Sequence, residues 1–220
     1  MIIHGDCHIE LKKIESHSID LILTDPPYQV SNQSTQIQQT GDMNYNSLNE
    51  KWDKDYNIHW VSEIERLLKP NGQVLIFCNH KLLGDYLNLL NPIRQILHWE
   101  KVNPVPALRR YYWFSVEYIL WKTMSNEFVF EKKLARQDVF NYPLCAGHER
   151  YKHPTQKPLE LIKQLVQVHT SVGDVVLDMF AGSGTCGVDC KQLGREFILI
   201  EKEERYISMI HQRLSQEYLF

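Results

Sequence analysis

The stretch Ile19-Asp-Leu-Ile-Leu-Thr-Asp-Pro-Pro-Tyr28 joins a short apolar run to a carboxylate, two prolines and an aromatic ring. The run is rich in branched residues and contains a single acid, which is typical of a buried strand. The strand must end at Pro26 and Pro27, because proline has no N–H to donate to a sheet. Asp25 and Tyr28 are therefore predicted at the carboxyl end of a strand, where open α/β sheets bind their ligands.

The tetrapeptide Asp25-Pro-Pro-Tyr28 suits a reaction in which an aromatic amine, such as that of adenine, attacks an electrophile. The lone pair of such an amine is delocalised into its ring, so the nitrogen is a poor nucleophile. Asp25 and the carbonyl of Pro26 can each accept one of its N–H bonds, which frees the lone pair as positive charge develops. The prolines restrict the backbone around these acceptors, and Tyr28 offers a face for stacking a base. The alternative is a proline-terminated strand with a capping Asp.

Length and composition predict one ordinary globular domain. The chain has 220 residues, of which 43% are hydrophobic and 23% charged, and this is enough to bury a sizeable core. The sequence shows no signal peptide and no apolar stretch of membrane-spanning length, so we expect a cytoplasmic protein without membrane association. Five scattered cysteines favour reduced thiols. Cys186 and Cys190 alone have metal-ligand spacing, and without a second pair we expect no metal.

Charge is unevenly distributed along the chain. Residues 101–158 contain ten Lys or Arg and five Asp or Glu, so this span carries +5, and the remainder carries −8 of the total of −3. A local basic region can contact phosphates while the rest stays acidic. Aromatic residues next to the first two arginines are suited to stack on nucleic acid, although a solvated surface or a core edge explains the pattern equally well. The predicted DNA-binding residues are Arg109, Arg110, Lys132, Lys133 and Arg136.

Alternating strand and helix signals predict a doubly wound, mostly parallel α/β sheet. The predicted strands are Met1–His4, Ile19–Leu23, Gln73–Cys78, Gln95–Lys101, Val116–Lys122, one from Val175, and Glu196–Ile200. The predicted helices are Cys7–Ile14, Ile58–Leu68, His80–Leu90, Pro158–His169, one starting near Thr185, and Tyr206–Glu217. Within a single catalytic domain spanning 1–220, polar residues 29–57 are expected to form a mobile loop over the substrate. The aperiodic span 123–152 is predicted to be a short target-recognition segment.

A second motif, Phe180-Ala-Gly-Ser-Gly184, stands between a predicted strand and a predicted helix. It lacks the third glycine of the dinucleotide fingerprint. Its glycines let a ligand approach the backbone, and the amide groups of the following helix favour a carboxylate. Glu201 ends the next strand, where an acid can hold both hydroxyls of a ribose. Together these features predict S-adenosylmethionine, a nucleoside that carries an amino-acid carboxylate.

The two motifs together make the chain resemble the DNA amino-methyltransferase family, which methylates adenine N6 or cytosine N4. The resemblance is to the permuted β class, where the catalytic tetrapeptide precedes the cofactor loop, and it implies a circularly permuted Rossmann-like methyltransferase fold. It covers nearly the whole chain. Two departures are Met179, where proline is frequent, and the short span between Lys122 and His153. The motifs that carry the resemblance are Ile3–Cys7, Asp25–Tyr28, Leu67–Gly72, Trp99–Lys101, His153–Pro158, Asp178–Thr185 and Glu201.

The resemblance implies direct methyl transfer from S-adenosylmethionine to the amino group of adenine in double-stranded DNA, with the base flipped out of the duplex. It also implies that the strands before Asp25 and Phe180 are neighbours, that Asp6 lies near the cofactor adenine, and that Thr155 and Lys157 lie near its methionine end. The expected catalytic residues are Asp25, Pro26, Pro27 and Tyr28. The expected cofactor-binding residues are Asp6, Cys7, Asp25, Thr155, Lys157, Phe180, Ala181, Gly182, Ser183, Gly184, Thr185, Glu201 and Lys202.

Other functions remain open from the sequence. Adenine is favoured over cytosine because cytosine-amino members of the family usually carry Ser in place of Asp25. Methylation of RNA or of a protein glutamine amide is an alternative. Relatives with those activities resemble proteins that carry Asn-Pro-Pro-Tyr after the cofactor loop, whereas in this chain the tetrapeptide comes before the loop. A catalytically idle nucleic-acid-binding module needs neither Asp25 nor Tyr28. A homodimer and a cognate restriction endonuclease are further expectations of the resemblance.

Overall fold

The computed structural model of the chain describes residues 1–28, 51–54, 57–106, 112–135 and 137–216. The strands in these residues are β1 Ile2–His4, β2 Ile19–Thr24, β3 Leu68–Cys78, β4 Gln95–Lys101, β5 Val116–Thr123, β6 Val139–Tyr142, β7 Val175–Asp178 and β8 Glu196–Glu201. The helices are α1 Cys7–Glu10, α2 Lys51–Lys54, α3 Ile64–Leu67, α4 Leu83–Leu90, α5 Leu159–His169, α6 Thr185–Leu193 and α7 Glu204–Ser215. The 3-10 segments in these residues are Leu11–Lys13, Ile58–Glu63 and Gly147–Glu149. Among these helices, none is long and apolar enough to cross a membrane.

The strands form one sheet in the order β1-β8-β7-β2-β3-β5-β4-β6. Neighbours from β1 to β3 are parallel, β5 is antiparallel to β3 and β4, and β6 is parallel to β4. The predicted mostly parallel α/β fold is confirmed. The predicted adjacency of the two motif strands is confirmed as well, because Leu21 of β2 pairs with Val176 of β7 despite the long chain between them.

The central strand β2 is buried on both faces of the sheet. Ile22 packs in a cluster with Leu67, on the face covered by α1, α3 and α4. Leu21 packs in a second cluster with Leu165, on the face covered by α5, α6 and α7. A parallel strand with helices on both sides needs apolar residues at successive positions, which is why its sequence reads as a continuous apolar run rather than an alternating one.

Two regions differ from the predicted elements. The helix predicted over Ile58–Leu68 is a 3-10 segment followed by the single turn of α3. Leu68 already pairs with Ile19, and after a register shift Gln73 pairs with Leu21, so the Asn71-Gly72 pair, a sequence signal for a turn, is an irregularity inside β3. The helical stretch ends at Leu67, within one residue of the predicted end, but pairing with β2 starts the strand at Leu68 instead of Gln73, a tertiary effect that overrides local propensity.

Strand β6 was not predicted, and it lies inside the aperiodic span 123–152. Phe140 is buried and pairs with Trp99 of β4. Four residues show too little alternation to identify a strand from sequence, and pairing with β4 decides its conformation. Of the predicted mobile loop 29–57, all but residues 51–54 and 57 lies outside the described residues, and the recognition role of 123–152 stays a prediction.

The turn before α6 provides a test of the fold. Gly184 precedes α6 with a φ of 77°, and a Cβ there would lie 2.8 Å from Cγ1 of Ile210, whereas Gly173, with a φ of 87°, has open space around its own added Cβ. An alanine costs about 1–2 kcal/mol of left-handed strain at either site, and overpacking adds about 1–3 kcal/mol at Gly184. We expect urea denaturation to show a larger loss of unfolding free energy for Gly184→Ala than for the control Gly173→Ala. Equal losses would contradict this packing.

Candidate active site

A cavity of about 370 Å³ opens at the carboxyl ends of the parallel strands. This volume is typical of a site for a small-molecule ligand. The structure brings together around this cavity every predicted catalytic and cofactor-binding residue except Gly184. Gly184 is the N-cap of α6 and does not line the cavity. The predicted residues that line it are Asp6, Cys7, Asp25, Pro26, Pro27, Tyr28, Thr155, Lys157, Phe180, Ala181, Gly182, Ser183, Thr185, Glu201 and Lys202.

The ends of β2 and β7 are joined directly. Thr24 donates a hydrogen bond to Oδ1 of Asp178 over 2.9 Å, and the same oxygen accepts the N–H of Phe180 over 3.1 Å. Burial raises the pKa of Asp178 to about 7. The side chain at the end of one motif strand therefore holds both the neighbouring strand and the start of the glycine turn.

The glycine turn is shaped by contacts within the protein. Gly182 has a φ of 49°, and a Cβ there would lie 2.7 Å from Nε2 of His153. The N–H of Gly182 donates to Oε2 of Glu201 over 2.7 Å. Because Ile210 closes off the space beside Gly184 in the same way, both glycines are required by backbone conformation and packing, in addition to any close approach of a ligand.

Arg213 of α7 supports this turn from beneath, and sequence analysis did not identify it. Its buried guanidinium donates to the carbonyl of Ser183 over 2.8 Å and to Oγ1 of Thr185 over 3.0 Å. The same group lies 4.4 Å from the ring centroid of Tyr151. A lone arginine on an amphipathic helix gives no signal in sequence, because its partners come from elsewhere in the chain.

Glu201 is held in one orientation at the end of β8. Oε2 accepts from Gly182, and Oε1 accepts the N–H of Glu203 over 2.8 Å. Burial raises the pKa of this carboxyl. Each carboxylate oxygen has a second lone pair, so Glu201 can still accept hydroxyl groups from a ligand in the cavity.

A neutral histidine forms part of the cavity wall. The ring of His153 lies 4.5 Å from that of Tyr206 and stacks on Trp52 at 6.3 Å between centroids. Burial lowers its pKa to about 3, and the nearby cations Lys157, Arg205 and Arg213 act in the same direction. This histidine therefore adds no positive charge to the cavity at neutral pH.

The opposite end of the cavity contains a network of charged side chains around Asp25. Lys157 donates to Oδ2 of Asp25, and its Nζ lies 3.3 Å from Oε2 of Glu117. Glu117 also accepts the hydroxyl of Tyr28 over 3.1 Å and pairs with Lys101 over 2.8 Å. Oδ1 of Asp25 is buried, and it has no hydrogen-bond partner in the described part of the chain. This oxygen is the acceptor that remains for a ligand.

The two carboxylates of this network differ in their affinity for protons. Burial raises the pKa of Asp25, and the charge of Glu117 opposes the lowering effect of Lys157. For Glu117, burial is outweighed by Lys157 and Lys101, which lower its pKa to about 2. Burial likewise works against the charged form of Lys157, but the two carboxylates raise its pKa. Glu117 is therefore the permanent anion, and Asp25 is the more basic group.

The backbone of the tetrapeptide is also held from both sides. Oδ1 of Asp53 accepts the N–H of Tyr28 over 2.9 Å, and Nδ2 of Asn79 donates to the carbonyl of Tyr28 over 3.1 Å. Asp53 belongs to α2, within the stretch that the sequence predicted to be a loop. Tyr28 is thus anchored by its main chain independently of its hydroxyl group.

Sequence reasoning missed several functional side chains, and two of them had a readable signal. Glu117 is an acid next to the apolar run 118–121 of a predicted strand, where an unpaired charge is costly and a buried partner is to be expected. His153 belongs to a motif already singled out. Lys157 was expected at the methionine end of the cofactor; its ammonium pairs with the carboxylate of Asp25, and the cofactor contact stays a prediction.

Of the five predicted DNA-binding residues, the two that the structure describes lie away from the cavity. Lys132 and Lys133 are exposed, beside Glu131, whose N–H donates to Val168 near the end of α5. The cavity lies toward the other end of this helix, where Lys157 and Ile162 line it. Arg109, Arg110 and Arg136 lie outside the described residues. DNA contacts by all of these side chains stay predictions.

Comparison with known proteins identifies the family of the chain. The chain matches the model of the DNA methylase family over residues 19–212. It is 34% identical to the Type II methyltransferase M.HinfI of Haemophilus influenzae, over 98% of this chain and 68% of the relative. It is also 34% identical to the Type II methyltransferase M2.DpnII of Streptococcus pneumoniae, over 99% of this chain and 90% of the relative.

A solved structure agrees over the same length. The crystal structure of the M1.HpyAVI–SAM complex superposes with a TM-score of 0.76 at 30% sequence identity, covering 98% of this chain and 99% of that one. The match therefore includes both motif strands, the glycine turn and the carboxylate network. The chain belongs to the DNA methylase family, the DNA amino-methyltransferases of the N6/N4 class, as its two motifs predicted.

Proposed function

We propose that the protein transfers a methyl group from S-adenosylmethionine to the N6 amino group of adenine in double-stranded DNA, acting on a base flipped out of the duplex. The observation that carries this proposal is the buried Oδ1 of Asp25, which lacks a partner in the described residues and belongs to the cavity wall beside Tyr28. A buried acceptor without a partner is costly unless a ligand donates to it.

The cavity has the properties that S-adenosylmethionine requires. Bound S-adenosylmethionine supplies an electrophilic methyl group on a sulfonium centre. Glu201, oriented by two backbone N–H groups, can accept both ribose hydroxyls. The neutral His153 avoids repulsion of a cationic sulfonium. The similar structure was solved as a complex with this donor, which agrees with the proposed fit.

The tetrapeptide residues act on the amine. Oδ1 of Asp25 accepts one N–H of the amino group and the Pro26 carbonyl accepts the other, and both contacts strengthen as positive charge develops on nitrogen. The nitrogen bonds to the methyl carbon while the carbon–sulfur bond breaks, and the nitrogen then loses one proton. Tyr28 supplies a face for the flipped base, and Phe77 lines the same cavity.

The choice of adenine rests on residue 25. Family members that methylate cytosine usually carry Ser where this chain has Asp25. The two relatives reported above are Type II methyltransferases, which supports a place in a restriction–modification system with a cognate endonuclease as partner.

Exposed aromatic side chains precede β5 at the end of the sheet where the cavity opens, and they suit stacking on nucleic acid. They are Tyr112, Trp113 and Phe114, which are 96%, 56% and 52% exposed.

Labelled S-adenosylmethionine, incubated with DNA, RNA and protein, tests the function. We expect label only in DNA, and nucleoside analysis should identify N6-methyladenine. N4-methylcytosine would overturn the choice of adenine, and label in RNA or protein would overturn the choice of DNA. Cofactor binding without any transfer would instead indicate a catalytically idle module.

Asp25→Ala removes the free acceptor, and we expect kcat to fall by roughly 10²–10³-fold, as when one preorganised contact to a developing charge is lost. S-adenosylmethionine binding, measured by calorimetry, should largely survive. Asp25→Asn is the matched variant: it keeps a neutral acceptor oxygen and should retain intermediate activity. A loss of cofactor binding as large as the loss of turnover would contradict the assigned role.

Tyr28→Ala removes the aromatic face, whereas Tyr28→Phe and Tyr28→Trp retain one. Stacking of a base on an aromatic side chain contributes about 1–3 kcal/mol, so Tyr28→Ala should lower kcat/KM for DNA about tenfold or more below the other two. Steady-state methylation of one duplex substrate provides the comparison. Equal activities of the three variants would remove the stacking role.

A further inference from the structure

Glu117 occupies the centre of a cluster in which two carboxylates alternate with two ammonium groups. Its carboxylate lies 2.8 Å from Nζ of Lys101 and 3.3 Å from Nζ of Lys157, and Lys157 in turn pairs with Asp25. Lys101, Glu117 and Lys157 are only 12%, 13% and 6% exposed. The cluster therefore operates away from bulk solvent, where charges interact strongly.

The charges of this cluster sum to zero when all four groups are ionised. Without the charge of Glu117, the cluster would carry one net positive charge next to Asp25. Methylation of an amine builds positive charge on the nitrogen, which is the atom that Asp25 is proposed to hold. The ammonium of Lys157, if its charge were not balanced by Glu117, would repel that developing positive charge. A cluster of zero net charge therefore favours the transition state.

We propose that Glu117 is a positioning residue for methyl transfer, which holds Lys157 between two carboxylates so that Asp25 keeps one oxygen free for the substrate amine. This inference rests on the proposed function. The same carboxylate accepts the hydroxyl of Tyr28, so one side chain sets both the acceptor and the stacking ring.

The titration behaviour of the cluster agrees with this assignment. The charged or titratable groups that face Glu117 are Asp25 and Tyr28 after β2, Cys78 at the end of β3, Lys101 of β4 and Lys157 before α5. Since its pKa is about 2, Glu117 is an anion throughout the neutral range. Its charge adds to burial in raising the pKa of Asp25. Removing that charge lowers the pKa of Asp25 and makes it a weaker acceptor.

Glu117→Gln tests the inference with little change in shape, and Glu100→Gln, at an exposed position of neighbouring β4, is the matched control. We expect kcat of Glu117→Gln to fall about tenfold or more, with the affinity for S-adenosylmethionine, measured by calorimetry, within about twofold of wild type. The acid limb of its kcat/KM profile should move to lower pH. An unmoved limb, or activity equal to that of Glu100→Gln, would overturn the inference.

A double-mutant cycle with Lys157→Met tests whether Glu117 acts through the lysine. In the Lys157→Met background, Glu117→Gln should lower kcat by clearly less than in wild type, because only its contacts with Lys101 and Tyr28 remain to be lost, and additive losses would overturn the inference. If Glu117→Gln does not fold, Glu117→Asp retains the charge but withdraws it from Lys157, and it should shift the acid limb in the same direction. Failure of wild type to methylate adenine would instead refute the proposed function.

Discussion

The parallel pairing of β2 with β7 is the constraint on which the site depends. It brings the tetrapeptide Asp25–Tyr28 and the glycine turn to one edge of the sheet, where Thr24 and Asp178 hydrogen-bond over 2.9 Å. A slip of one residue in this register would turn the side chains of β2 to the opposite faces, exchanging the two hydrophobic clusters and moving Thr24 away from its partner. The cavity therefore follows from core packing around one central strand.

The tetrapeptide Asp25–Tyr28 lies at the boundary between two parts of the sheet. The parallel part supplies Asp25 and Tyr28, and the part beyond β3 supplies Lys101 and Glu117. A buried ion network of this kind contributes little to stability, since desolvation of the charges offsets much of their attraction. Its value lies in the separation of proton affinities that it creates, with Glu117 held as an anion and Asp25 left as the more basic carboxylate.

Exposed aromatic and basic side chains lie at different ends of the sheet. Exposed aromatic side chains lie at the catalytic end, whereas Lys132 and Lys133 lie at the far end of α5. The exposed aromatic side chains and these two lysines, which the sequence assigns to one basic region, thus lie apart in the folded chain. They are apart because β5, which is antiparallel to β3, carries the chain across the depth of the sheet between them.

The sequence alone determined the buried strands, the mostly parallel sheet, both ligand motifs and the family, because apolar runs, prolines and paired glycines act through local sterics. It could not reveal β6, whose four residues become a strand only beside β4. Nor could it reveal the neutral cluster of Asp25, Lys101, Glu117 and Lys157, or the support of the glycine turn by Arg213. Only the tertiary structure decided these features, since a charge acquires its partner, and a pKa its shift, when distant segments are buried together.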